Sequence, residues 1–90
     1  MNARRRYERT IIWDNPPGGW TIEEEIGDEV FRTTYEGRGL MTVADAAEAL
    51  DVNRKTVYRW VEDEIIGAVL KGGVYRIPNS EVKRLLQEEE

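Results

Sequence analysis

The sequence predicts a small α+β protein, with short strands in its first forty residues and short helices in the remainder. Three observations carry that prediction. Residues 20–35 alternate apolar and polar side chains at period two, in "WTIEEEI" and "EVFRTTY" either side of Gly27-Asp28. From residue 42 the apolar spacing becomes i, i+3, i+4, i+7, the mark of an amphipathic helix. The segment "EGRG", residues 36–39, interrupts the pattern with two glycines at the change of period. The expected organisation is therefore a basic N-terminal arm plus β element over residues 1–39 and a helical module over 40–90.

The strands come first. "RTIIW" (9–13) precedes "DNPPGG" (14–19), a chain reversal with two prolines and two glycines. In "WTIEEEI" (20–26), Trp20, Ile22 and Ile26 share one face, and Thr21, Glu23 and Glu25 the other. Gly27-Asp28 supplies a tight turn, and "EVFRTTY" (29–35) alternates again through Phe31, Thr33 and Tyr35. A short antiparallel meander of two or three strands follows. The run Glu23-Glu24-Glu25 reads as a solvated strand edge rather than as paired catalytic carboxylates.

The helical module has a definite order. "TVADAAEAL" (42–50) lines up Val43, Ala46, Ala47 and Leu50, and Thr42 with Asp45 fits a capping box. "DVN" (51–53) turns the chain, and Asn53 caps a second helix over 54–63, with Val57, Trp60 and Val61 inward. "AVLKGGVYRIP" (68–78) is a hairpin around Lys71-Gly72-Gly73. A last helix starts at Pro78 and Asn79 or Ser80, with Val82, Leu85 and Leu86 on one face. Helix, tight turn, helix, hairpin, helix, with small Ala residues letting the first two helices approach closely, describes a small winged helix-turn-helix: helix-turn-helix, β-hairpin wing, C-terminal helix.

Composition narrows the chemistry. The 90 residues contain no Cys and no His, so disulfides, thiolate nucleophiles and the usual nitrogen and sulfur metal ligands are missing. Ser80 is the one serine, and it lies at a helix start; no Gly-rich phosphate loop is present. No enzymatic activity, cofactor, metal or small-molecule ligand is expected. No run of 18 apolar residues occurs and the N-terminus lacks the apolar stretch of a signal peptide, so a cytoplasmic protein is expected.

The stretch "DVNRKTVYRW" (51–60) carries the chemistry that remains. A helix that enters the DNA major groove packs one face on its domain and turns the other to phosphates and base edges. Here Val57, Trp60 and Val61 face inward. Asn53, Arg54, Lys55, Thr56, Tyr58 and Arg59 face outward or open the helix. Arg pairs bidentately with guanine, Lys and Tyr serve phosphates as well as bases, and a helix N-terminus favours a phosphate. On the hairpin, Lys71, Tyr75 and Arg76 are candidates for backbone contact, with Tyr75 open between contact and packing.

Residues 40–87, through "TVADAAEAL", "VNRKTVYRW" and "AVLKGGVYRIPNSEV" in that order and spacing, resemble the excisionase-type helix-turn-helix of the MerR-like winged-helix group. The resemblance implies a DNA-binding module of phage or bacterial type, a regulator of transcription or a recombination-directionality factor. It places Asn53, Arg54, Lys55, Thr56, Tyr58 and Arg59 on the recognition helix and Lys71 to Arg76 on the wing, against the minor groove or backbone. Two departures stand out. The loop "DEIIGAV" lacks the Gly and Pro that the family commonly carries there, and the wing tip is less basic than usual.

Charge qualifies the expected partner. The chain has 13 Lys+Arg against 18 Asp+Glu, a net charge of -5. Residues 40–80 carry five positives against six negatives. Yet those positives gather in the first turns of the second helix and in the wing, while acids cluster at that helix's end and in the tail Glu88-Glu89-Glu90. With a Debye length of about 8 Å at physiological salt, distant acids are largely screened from DNA. Double-stranded DNA is the expected partner, joined by a homo-oligomer or a protein partner through the N-terminal β element. The alternative is an interaction adaptor or antitoxin-like protein of the same fold. Arg4, Arg5, Arg6 and Arg9 form a basic arm that is either a solubilising tail or a minor-groove reader.

Overall fold

A computed structural model describes residues 6–87. The chain divides into two compact units, residues 1–38 and 39–90.

The first unit is a three-stranded antiparallel meander in the order β1-β2-β3: β1 Tyr7–Trp13, β2 Trp20–Ile26 and β3 Glu29–Tyr35. The register runs Trp13–Trp20–Tyr35 at one end and Tyr7–Ile26–Glu29 at the other. Residues directly opposite share a face, so Trp13, Trp20 and Tyr35 stand together, and Trp20 stacks on Tyr35 at 5.0 Å with the rings 7° from parallel. Trp20 and Ile22 are buried. Thr21, on the opposite face, is also buried. Its hydroxyl donates to the Asn15 carbonyl at 2.6 Å and meets the Thr34 hydroxyl at 3.2 Å, which removes the cost of hiding a polar group.

The reversal between β1 and β2 closes through Asp14 N–H to Gly19 O (3.0 Å) and Gly19 N–H to Pro16 O (2.7 Å). A Cβ on Gly19 would collide with the Tyr35 carbonyl, so only glycine fits beneath β3.

Two expectations about this unit are corrected. The Glu23–Glu25 run is not a strand edge, because β2 is the middle strand. Its carboxylates are accommodated by partners on both flanks: Arg32 Nε donates to Glu23 Oε2 at 2.7 Å, and the Tyr7 hydroxyl donates to Glu24 Oε2 at 2.8 Å. Nor is Arg9 part of an arm; β1 begins at Tyr7, and Arg9 lies opposite Glu24. Arg4, Arg5 and the Glu88–Glu90 tail lie outside the described residues.

The second unit is a winged helix-turn-helix. Helix α1 (Val43–Leu50) is capped by the Thr42 hydroxyl, which accepts the Asp45 N–H at 3.0 Å. It ends at Asp51 in the left-handed conformation (φ 62°), which turns the chain toward α2 (Arg54–Glu62). A hairpin of β5 (Val69–Lys71) and β6 (Val74–Pro78) follows, then α3 (Asn79–Gln87). A two-residue strand, β4 (Leu40–Met41), pairs Leu40 with Pro78 and Met41 with Ile77, giving a sheet in the order β4-β6-β5.

The core of this unit is Met41, Val43, Ala46, Ala47, Ala49, Val57, Ile66, Ile77 and Val82, all buried. On α1, Ala49 is buried where Leu50 is only half-buried. On α2, Val57 is fully buried while Trp60 and Val61 are half-buried, so Trp60 is a partial rather than a complete core residue.

Candidate nucleic-acid interface

The N-terminus of α2 is built by its cap. The Asn53 side-chain oxygen accepts the Thr56 N–H at 3.0 Å and the Thr56 hydroxyl at 3.2 Å. That satisfies one of the unpaired donors of the first turn. It also fixes both side chains at the mouth of the helix. Val57 anchors the opposite face in the core.

With those residues placed, the remaining faces follow from helical spacing. Arg54, Lys55, Tyr58 and Arg59 are exposed, and Thr56 is half-buried. Arg54, Lys55, Arg59 and, on the wing, Lys71 enter no ion pair among the described residues. The cations of three ion pairs found there, Arg6–Glu8, Arg32–Glu23 and Arg84–Glu81, lie elsewhere. Acidic Glu62, Asp63 and Glu64 sit at the far end of α2, whose N-terminal turn holds no acid. The helix dipole and the two first-turn cations therefore add at one end, where an anion is favoured.

The wing is joined to the helix by aromatic contact. Tyr58 and Tyr75 meet with ring centroids 6.3 Å apart and planes 57° from parallel. Tyr75 is half-buried, so its ring packs. Arg76 is half-buried too, opposite Val69, and its guanidinium reaches the Tyr75 carbonyl at 3.5 Å. The tip is Gly72-Gly73, both at positive φ (60° and 81°), as a two-residue hairpin loop requires. Lys71 is exposed beside it, and so are Val69, Leu70 and Val74, so the wing's outer surface is mainly apolar.

The unusual loop after α2 has its own support. Ile66 plugs into the core, and the Ile65 and Ile66 N–H groups donate to the Trp60 carbonyl at 2.8 and 3.2 Å. Two residues of α3 brace the outside. Glu81 Oε1 accepts the Gly67 N–H at 2.8 Å and Arg84 Nη2 at 2.9 Å, and Arg84 also donates to the Ile65 carbonyl at 2.8 Å. The Arg84 hydrogen bond, then the Gly67 N–H, hold the Glu81 carboxyl below its ordinary pKa. "DEIIGAV" is thus held by the Trp60 carbonyl and by two side chains of α3.

The structure brings Asn53, Arg54, Lys55, Thr56, Tyr58 and Arg59 onto one helix and joins them to Tyr75 through the ring pair. The Glu81–Arg84 brace was not foreseen. Its spacing of three residues on a helix was the one available hint.

A family model described as a helix-turn-helix domain matches residues 40–90. No curated protein matches the chain, and no solved structure matches it. Among the described residues, no helix is long and apolar enough to cross a membrane.

Proposed function

From the premise that this chain belongs to the helix-turn-helix domain family, a family of DNA-binding rather than enzymatic domains, we propose that it is a sequence-specific regulator of the excisionase-like, MerR-like type. In this reading α2 enters the major groove and the wing at residues 69–78 rests on backbone or minor groove. The observation that carries the proposal is the set of unpaired cations on the first turns of a capped, acid-free helix N-terminus.

Arg54 and Arg59 are the candidate base readers, Lys55 and Tyr58 the phosphate contacts, and Asn53 and Thr56 hold the helix mouth at the duplex. Lys71 and Arg76 touch the backbone from the wing, with Tyr75 setting the wing's angle. Engaging about five phosphates gives a log-log salt slope on the order of -4 to -5. One such module covers few base pairs and buries about 600–1,000 Å². Specific binding in a cytoplasm full of competing DNA then calls for a dimer or co-bound partner, assigned here to residues 7–35.

The test is selection of bound duplexes from a random pool, followed by gel shift of the winning site. Arg54→Ala with Arg59→Ala abolishes specific binding, with far-ultraviolet circular dichroism unchanged. Each base-reading Arg contributes about 1–3 kcal/mol, so the pair is worth on the order of a hundredfold or more. Undiminished binding by the double variant refutes the assignment. Absence of retention on random duplex near 50 mM salt favours the interaction-adaptor or antitoxin-like reading instead.

A further inference from the structure

We propose that the outer edge of β3 is a self-pairing surface, on which a second copy of this chain adds its own β3 antiparallel to make a six-stranded sheet. The inference deepens the proposal that residues 7–35 supply the dimer contact.

β3 is an outer strand of the sheet, and its first six residues, Glu29 to Thr34, are all exposed. Val30 is 50% exposed and Phe31 48%. These two are consecutive in a strand, so they point to opposite faces. A partner lying on either face would cover one and leave the other in water. Only a partner added along the edge covers both.

The edge is also poorly defended. Natural outer strands are guarded by Lys, Pro, bulges or unpaired charges. β3 has no Lys, no Pro and an unbroken register with β2. Its single cation, Arg32, is neutralised by Glu23. Its one other charge, Glu29, stands at its first position.

Backbone geometry selects the residues that would pair. Gly27 and Asp28 alone separate Ile26 from Glu29, which makes those two the hydrogen-bonded closing pair of the hairpin. The Gly27 N–H donates to Arg6 O at 2.9 Å, toward β1, consistent with that alternation. Glu29, Phe31 and Thr33 therefore turn their backbone groups to β2, and Val30, Arg32 and Thr34 turn theirs outward.

A two-fold axis on an antiparallel pair must place one residue opposite its own copy. Centring on Arg32 would oppose two guanidinium groups. Centring on Phe31 sets Phe31 against the partner's Phe31 in a non-hydrogen-bonded pair, where side chains come closest. It also sets Arg32 against the partner's Val30. One face then reads Glu23, Arg32, the partner's Val30 and the partner's Glu25, with each arginine stem covering a valine between acids of both copies. One strand pair is small beside the roughly 1,200 Å² at which stable interfaces begin, so the free dimer is weak and two half-sites consolidate it.

The absence of Cys from the chain makes the test clean. Sedimentation of the full chain is expected to show mass rising from monomer toward dimer with concentration. Phe31→Lys is expected to remain monomeric with its circular dichroism unchanged, and to bind a two-half-site duplex on the order of tenfold or more weaker. Under mild oxidation Phe31→Cys is expected to cross-link faster than Thr33→Cys or Glu29→Cys alone, while a mixture of the last two cross-links to each other. A wild-type chain monomeric at every concentration, dimerisation unaffected by Phe31→Lys, or faster cross-linking through Thr33→Cys each overturns the proposal. Arg54→Ala/Arg59→Ala is expected to dimerise normally, and Phe31→Lys to keep its salt-sensitive retention on random duplex. Failure of the edge and failure of the DNA reading are thereby told apart.

Discussion

The cations of the meander and those of α2 carry the same charge in different surroundings. In the sheet, Arg32 lies 2.7 Å from Glu23 and Arg9 stands opposite Glu24, so positive charge offsets the acid run of the central strand. On α2, Arg54, Lys55 and Arg59 have no carboxylate partner among the described residues; the acids nearest in sequence are Asp51, the C-cap of α1, and Glu62 at the far end of α2. An acidic chain can therefore hold some cations in ion pairs and leave others unpaired on one helix. Net charge describes solubility and encounter; the local pairing of each cation decides where an anion can bind.

The double replacement of Arg54 and Arg59 carries the largest expected effect, and Lys71→Ala the next. Lys71 has no ion-pair partner among the described residues and stands at a wing tip with little other charge. Its loss should weaken binding about equally across sequences and lower the magnitude of the salt slope by about 0.9, the share of one phosphate. A change of sequence preference instead would move Lys71 from the backbone to a base edge. Selection on the variant separates the two outcomes.

Glu23→Gln tests the other side. It releases Arg32 from its ion pair without adding a cation. A cross-strand pair of this kind contributes roughly 0.2–1 kcal/mol, so urea denaturation should show a loss within that range. The salt slope of DNA binding should stay within one unit of wild type. A steeper slope would mean that any unpaired arginine on this protein engages phosphate, and that the helix holds no privileged position.

Much of this contrast was legible in the residues. Period-two alternation in "WTIEEEI" and "EVFRTTY" and the helical spacing after Thr42 gave the elements nearly to their ends. The caps at Thr42 and Asn53 were visible because a short polar side chain before an apolar-periodic run has few other uses. Three things were hidden. Leu40–Met41 is too short a strand to show alternation, and its pairing with Ile77 and Pro78 spans most of the module. The Glu run read as an edge because sequence does not tell which strand lies in the middle. The path of "DEIIGAV" depends on Glu81 and Arg84, whose contacts with Gly67 and Ile65 lie 14 and 19 residues away along the chain. Which cations stay unpaired is likewise a tertiary property, and that is why the helix face could be nominated but not distinguished from an ordinary solvated one.

The smallest expected effect concerns that brace. Because Arg84 and the Gly67 N–H favour the ionised carboxylate, Glu81 titrates lower in the folded chain than its ordinary 4.5. A carboxyl depressed in the native state adds stability that is fully present above its unfolded pKa and disappears as pH falls through the lower, folded value. The stability difference between wild type and Glu81→Gln should therefore be constant from neutrality down to about pH 4.5 and shrink below it. Exposed pairs of this kind contribute about 1 kcal/mol or less, so paired urea titrations across pH 3–7 are the suitable measurement. The comparison also bears on the interface. The loop that Glu81 holds connects α2 to the wing, so acid should loosen the wing. A difference that stays flat to pH 3 would mean that Glu81 braces the loop by shape and neutral hydrogen bonding alone, and that charge on α3 plays no part in setting the wing.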